Sequence, residues 1–239
     1  MRKNRETTMS RPRLLAAISA IFLLVVAGQT PVYAAGEKNA PVLAFDGRVI
    51  KATDVTPGGQ VVFFAVGLVS NGFRSTVMRW SQVVSDDDHD GAVTFDAGQT
   101  IPCRSIWAVA EIANGHFAIA APPGCPLRQA GALSARAFRH RTNGNLDGFL
   151  HERPYLDLLY VHPGKGAWTV RAADGSPTDA DSKSDGVTTV TLAGARSLLS
   201  NGTPPASFVP GGILVAIDFY GFDVVAERLD AKLFSEVQP

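Results

Sequence analysis

Along most of this chain short apolar runs are separated by turn residues such as glycine, proline, asparagine and aspartate. That spacing predicts strands joined by turns. Val61 to Val66, "VVFFAV", is apolar at every position, the pattern of a strand covered on both faces. Residues 76 to 84 alternate instead. Thr76, Met78, Trp80, Gln82 and Val84 form the more apolar set, expected to face a core, against Val77, Arg79, Ser81 and Val83. "SIWAVAEIANGHFAIA", residues 105–120, predicts a hairpin about a two-residue type I′ turn at Asn114-Gly115. Pairing about that turn sets Ala113 opposite His116, Ile112 opposite Phe117, Ala110 opposite Ile119 and Ala108 opposite Ala121. One face, with Ile112, Phe117, Ala110 and Ile119, is then core, and Glu111 and His116 are solvated groups on the other. The C-terminal "AERLDAKLF" is expected to end in a short helix.

The same patterns recur in the second half in the same order. "VVFFAV" is echoed by "DLLYVH" (157–162), and "VMRWSQV" by "AWTVRAA" (167–173). "SDDDHDGAVTFDAG" (85–98) is echoed by "DADSKSDGVTTVTLAG" (179–194), and "AEIANGHFAIA" by "AIDFYGFDVVA" (216–226). The expected fold is all-β: a β-sandwich built from two similar repeats, either as tandem sandwiches or as one merged sandwich. The boundary falls in the irregular stretch 124–153. The organisation read from the sequence is a targeting segment over 1–34, a first repeat over 35–135 and a second over 136–239.

Residues 1–34 carry the order of a secretory signal peptide. Arg2, Lys3, Arg5, Arg11 and Arg13 open it, Leu14 to Val26 is apolar, and Val32-Tyr33-Ala34 supplies the small residues of a cleavage site. The apolar run is shorter than the roughly 20 residues of a membrane span. The later run from Ile213 to Val225 is interrupted by Asp218 and Asp223. The expected location is secreted or periplasmic, with no membrane span after cleavage. The leader holds five of the 22 basic and one of the 22 acidic residues, leaving 17 and 21, a net charge of −4 on the mature chain. That balance argues against a nucleic-acid partner. The only two cysteines, Cys103 and Cys125, bracket the hairpin one residue from direct opposition, and the Pro122-Pro123-Gly124 bend can absorb the slip. In an exported chain they are expected to form a disulfide, and free buried thiols are the alternative.

"GRVIKATDVTPGGQVVFFAVGL" (47–68) resembles the opening of secreted bacterial immunoglobulin-like modules, in which a Pro-Gly-Gly turn precedes a hydrophobic strand. The resemblance covers about a tenth of the chain and implies an immunoglobulin-like β-sandwich, not an activity.

The candidate chemistry centres on "SDDDHDG", residues 85–91. Asp86, Asp88 and Asp90 have alternate spacing before Gly91, and Asp96 follows five residues later. Alternate carboxylates in a tight loop can converge on one Ca²⁺, which takes six to eight oxygens. Asp87 is a further oxygen donor, while His89 is a poor one for calcium. Position twelve of a helix-flanked calcium loop would be Ala97 rather than glutamate. The other reading is a solvated hairpin tip whose like charges discourage edge pairing. The echo Asp179, Asp181, Asp185 and Gly186 has Lys183 where a middle ligand would stand.

Elsewhere Arg136, Arg139, His140 and Arg141 cluster as a grip for an acidic partner or as an exposed strand. His140, His151 and His162 are a transition-metal possibility if they meet in space. No G-x-S-x-G or H-E-x-x-H motif is present. The sequence therefore points to a non-enzymatic exported protein with a binding, adhesion or scaffolding role toward an envelope or extracellular partner, with calcium as the one candidate cofactor. The alternative is a secreted hydrolase or carbohydrate-active enzyme using residues such as His151, Glu152 and Asp157.

Overall fold

The computed structural model describes residues 39–70, 72–125, 136–140, 146–149, 156–172, 187–200, 202–218 and 224–235. The leader, the acidic echo at 179–186, His151 and Glu152 lie outside them. Fourteen strands and one short helix make up the described chain. The first seven strands are β1 (Val42–Asp46), β2 (Val49–Thr53), β3 (Gln60–Ser70), β4 (Ser75–Ser85), β5 (Ala92–Asp96), β6 (Ser105–Glu111) and β7 (Phe117–Ala120). Then follow β8 (Arg136–His140), β9 (Leu146–Phe149), β10 (Leu156–His162), β11 (Gly166–Ala172), β12 (Val187–Ser197), β13 (Ile213–Asp218), β14 (Val224–Arg228) and α1 (Lys232–Ser235). Among the described residues no helix is long and apolar enough to cross a membrane.

The strands form three antiparallel sheets, as the all-β reading requires. A central sheet has the order β4-β3-β6-β7, a small outer sheet β1-β2-β5, and a seven-stranded sheet β14-β13-β10-β11-β12-β9-β8. In the central sheet β3 is buried from Val61 to Leu68, and all seven residues of β6 are buried. Alternation divides these residues between two cores. Val61, Phe63, Ala65, Trp107 and Val109 face the outer sheet and meet Ile50, Val93 and Phe95 there. Val62, Phe64, Val66, Ile106, Ala108 and Ala110 face the other way and pack on Leu159, Val161, Ile213, Val215 and Ile217 of the second half. A strand apolar at every position is thus a strand with a sheet over each face.

β4 follows its predicted alternation at three of the five expected core positions. Trp80 is buried, and Met78 and Val84 pack beside it on the outer-sheet core, whereas Gln82 and Thr76 are exposed. Its opposite face is not left to solvent. Val77 and Val83 pack on the core shared with the second half, and Arg79 donates to Asp157 of β10 at 2.6 Å.

The third core belongs to the seven-stranded sheet. Leu146, Leu158, Tyr160, Trp168, Val190, Leu192 and Leu214 meet Phe208 and Leu229, with Leu233 and Phe234 of the C-terminal segment against them. Strands near opposite ends of this sheet contribute to one cluster, so the sheet bends around it. The bend coincides with a break in register: Thr169 pairs with Arg196 but Arg171 pairs with Thr191. The extra residues lie on β12 and include Gly194, at φ +71°. Such an insertion kinks a strand and increases its twist.

The strand order of the second half parallels that of the first, except that β11 and β12 pair in one sheet while β4 and β5 lie in separate sheets. β11-β10-β13-β14 matches β4-β3-β6-β7, and β8-β9-β12 matches β1-β2-β5. The residue match differs from the echo read in the sequence by one position. Val62 and Phe64 face the shared core, and so do Leu159 and Val161, whereas Leu158 and Tyr160 face the second half's own core. Matching the faces pairs Phe64 with Leu159 and Val66 with Val161.

The hairpin of β6 and β7 also departs from its expected register. Ala110 pairs with Phe117 and Ala108 with Ile119, a slip of two residues that leaves the core face unchanged. Its connection runs through Ile112–His116. A type I′ turn needs positive φ at both central residues, but here only Gly115 has it, at +72°. Asn114 turns its side chain inward, as the next subsection describes. Extending the observed register sets Cys103 across from Gly124. The disulfide to Cys125 closes over that one-residue difference, with Cα atoms 5.1 Å apart. The Cys125 N–H donates to the Pro122 carbonyl across the bend.

Two measurements check this packing. Phe63→Ala removes a fully buried ring and is expected to cost about 3–5 kcal/mol in urea unfolding, while exposed Gln82→Ala should change stability by less than about 0.5 kcal/mol. Removing the disulfide with Cys103→Ser and Cys125→Ser together is expected to lower stability by about 3 kcal/mol. Equal stability of the paired serine variant and the oxidised wild type would show that the cross-link does not hold the hairpin base.

Candidate functional site

The chemistry of the chain gathers at one end of the central sheet, where β3 begins, β4 and β6 end and β7 begins. The build-up starts at Thr56-Pro57-Gly58-Gly59. The Gly59 N–H donates to the Thr56 carbonyl at 2.8 Å, and Gly58 has φ +72°. Proline followed by a positive-φ glycine is the pairing a type II turn demands. A side chain at Gly58 would also collide with the ring of His89, since a Cβ there would lie 2.8 Å from it.

Two buried carboxylates hold this turn. Asp86, directly after β4, is 2% exposed, and its Oδ2 accepts the Gly58 N–H at 3.0 Å and the Gly91 N–H at 3.1 Å. Its backbone N–H donates to the Gly59 carbonyl, and the Val55 N–H donates to the Gly91 carbonyl. Burial acts to raise the Asp86 pKa, but the backbone N–H groups of Gly58 and Gly91, with help from Asp88 and the Asp90 backbone, outweigh it and hold the carboxyl below the ordinary aspartate value. On the other side Glu111, also 2% exposed, accepts the Thr56 N–H at 2.5 Å and the Thr56 hydroxyl at 3.1 Å. The Asn114 amide donates to the same carboxylate and to Thr56 Oγ1, while Asn114 Oδ1 accepts the His116 N–H at 2.7 Å. His116 Nδ1 stands 3.6 Å from Glu111 Oε2.

The expectation that Glu111 and His116 are solvated is therefore corrected. Glu111 is a buried anchor, and it is the reason Asn114 is drawn out of the tight-turn geometry. Its main partner, Thr56, is 55 residues away in sequence, so no local pattern could have revealed it.

The second half joins this end. The Gly164 N–H donates to the Ile112 carbonyl, and Arg228 donates to the carbonyls of Gly115 and Gly211 at 2.8 and 3.0 Å. Loops 54–59, 86–91, 111–116, 163–165 and 210–212 are thus laced into one surface by hydrogen bonds.

Of the four aspartates singled out in the sequence, three converge. Asp86, Asp88 and Asp90 each offer an oxygen within 4.8 Å of the others. Asp88 and Asp90 are exposed and cap their own loop, accepting the N–H groups of Asp90 and Ala92. Asp96 is engaged elsewhere, with Arg48 at 2.9 Å and the Gly98 N–H at 2.8 Å. His89 sits at φ +61° with Nδ1 3.1 Å from the Asp87 carbonyl.

The remaining candidates are dispersed or undescribed. His162 turns Nδ1 to the Pro163 carbonyl at 2.9 Å. His140 and its neighbours Arg136 and Arg139 form the backbone of β8, with side chains outside the described residues, as is Arg141. Asp157 is partly buried against Arg79 on the seam between the halves. Burial raises its pKa, and the Arg79 contact only partly opposes this. Its Oδ2 is buried without a hydrogen-bond partner.

The sign of the Asp157 shift sets a pH test. A carboxyl whose folded pKa is raised favours the fold while protonated, below the ordinary value of 3.8, and that contribution is lost as pH rises through the higher folded value. Asp157→Asn should remove this loss, so its stability relative to wild type should improve from pH 3 to pH 7 in urea unfolding. A constant difference across that range would show that Asp157 does not titrate abnormally.

Comparison with protein-family models, with curated proteins and with solved structures finds no match to this chain, so its chemistry rests on its own residues.

Proposed function

We propose that this chain is an exported, non-enzymatic β-sandwich protein, assembled from two repeats of one unit, that works by binding, adhesion or scaffolding toward a partner in the cell envelope or outside it. The observation that carries the reading is the laced loop end. Five loops from both halves are fixed to one another by backbone hydrogen bonds and by Asp86, Glu111 and Arg228. Loops held by a rigid sandwich are the usual recognition surface of such folds. A surface ordered before contact loses less conformational entropy on binding.

The two buried carboxylates there serve backbone and side-chain donors of the loops, which suits a scaffold. Export is supported by the disulfide, which persists in oxidising compartments. Duplication is supported by the repeated strand order and by the packing of matching faces, β3 and β6 on β10 and β13.

The test is sedimentation of the secreted protein with isolated cell envelopes of the organism that makes it. Charge reversal at the loop end, Asp87→Lys with Lys165→Glu, should weaken association at least about tenfold, equivalent to roughly 1.4 kcal/mol. Thr76→Lys with Gln82→Lys, at exposed positions of β4, should leave it unchanged. Absence of association, or equal loss in both variants, would overturn a loop-end binding role.

A further inference from the structure

We propose that Asp86, Asp88 and Asp90 form a site for one calcium ion at the β4–β5 loop. The three carboxylates place oxygens within 4.8 Å of one another, close enough for a single ion to reach all three at its usual 2.3–2.6 Å. A cluster of acids on a turn is common without an ion, and a second observation separates this one. Asp86 is buried, and its two oxygens have different fates. Oδ2 is satisfied by the Gly58 and Gly91 N–H groups, while Oδ1 is buried with no hydrogen-bond partner. An ionised, buried oxygen left unpaired is costly, and a cation shared with Asp88 and Asp90 would satisfy it.

No lysine or arginine among the described residues forms an ion pair with any of the three carboxylates. Among the described residues only N–H donors, and no cationic side chain, offset their mutual repulsion. An all-oxygen donor set selects a hard cation. One ligand is buried and two are exposed to solvent. That suits the variable coordination of calcium better than the strict octahedron of magnesium. Water and loop carbonyls would complete the shell. Asp96 is not a ligand in this arrangement, being held by Arg48.

The ion would act through Asp86 on Gly58 and Gly91, fixing the turn that the Pro-Gly-Gly segment makes. The site stands independently of the envelope-binding reading, because its test measures only ion binding and stability.

The experiment is calorimetric titration of the EDTA-stripped protein with CaCl₂ and, separately, MgCl₂, with thermal unfolding of the same samples. Asp88→Asn/Asp90→Asn is the comparison variant, because these side chains are exposed and their loss should not prevent folding. Wild type is expected to bind one calcium with Kd at or below about 10⁻³ M, the range of extracellular modules. Its Tm should rise with calcium, and magnesium should bind at least about tenfold more weakly. The variant should lose the calcium-dependent rise while matching or exceeding the wild-type Tm in EDTA, since like charges have been removed. No binding heat and no Tm change at 10 mM calcium would overturn the site, as would an equal calcium response in the double variant. Asp86→Asn, if it folds, should also lose calcium binding, whereas an Asp86→Asn protein that binds calcium as wild type does would remove Asp86 from the site.

Discussion

Everything in this fold follows from a central sheet that has no face to give to water. β3 and β6 are apolar on both sides, so the sheet can exist only between two others. The outer sheet β1-β2-β5 covers one side through Ile50, Val93 and Phe95. The second half covers the other through Leu159, Val161, Val215 and Ile217. The Arg79–Asp157 pair marks the edge of that second contact, where β4 passes from packing to solvent. The loop end depends on the same constraint, because the strands whose ends carry Thr56, Asp86 and Glu111 are those of the doubly covered sheet.

The loop end shows how buried carboxylates can substitute for secondary structure. The N–H groups of Thr56, Gly58 and Gly91 belong to turns, and no strand partner meets them. Asp86 and Glu111 accept them instead. A carboxylate out of water is stable only with such donors. Each acid and each turn therefore stabilises the other, and neither would keep this conformation alone. Glu111 is fully engaged in this way, while Asp86 is engaged through one oxygen only, and this difference singles out Asp86 as the pivot of the acidic loop.

How much of this could be read in the sequence depended on the range of the interactions. The covered strand was legible because its signal is local: six apolar residues in a row leave no solvent face. The disulfide was legible because two cysteines straddle one hairpin. The hairpin register was not, because the Asn-Gly pair signals a tight turn and nothing nearby shows that Asn114 is claimed by Glu111. The acidic loop was half legible. Its spacing identified Asp86, Asp88 and Asp90 together, but the sequence does not separate the buried member from the exposed two. That division arises from Gly58, 28 residues upstream. Asp96 shared the spacing but not the place, because Arg48 on the neighbouring turn takes it.

The shared core has one more consequence. β3 and β6 present to β10 and β13 a face of the kind that joins separate subunits, yet both partners lie on one chain. The local concentration of one half around the other is then fixed by the linker and not by the number of molecules present. An association between separate chains is lost on dilution by mass action. Carrying both halves in one polypeptide removes that dependence.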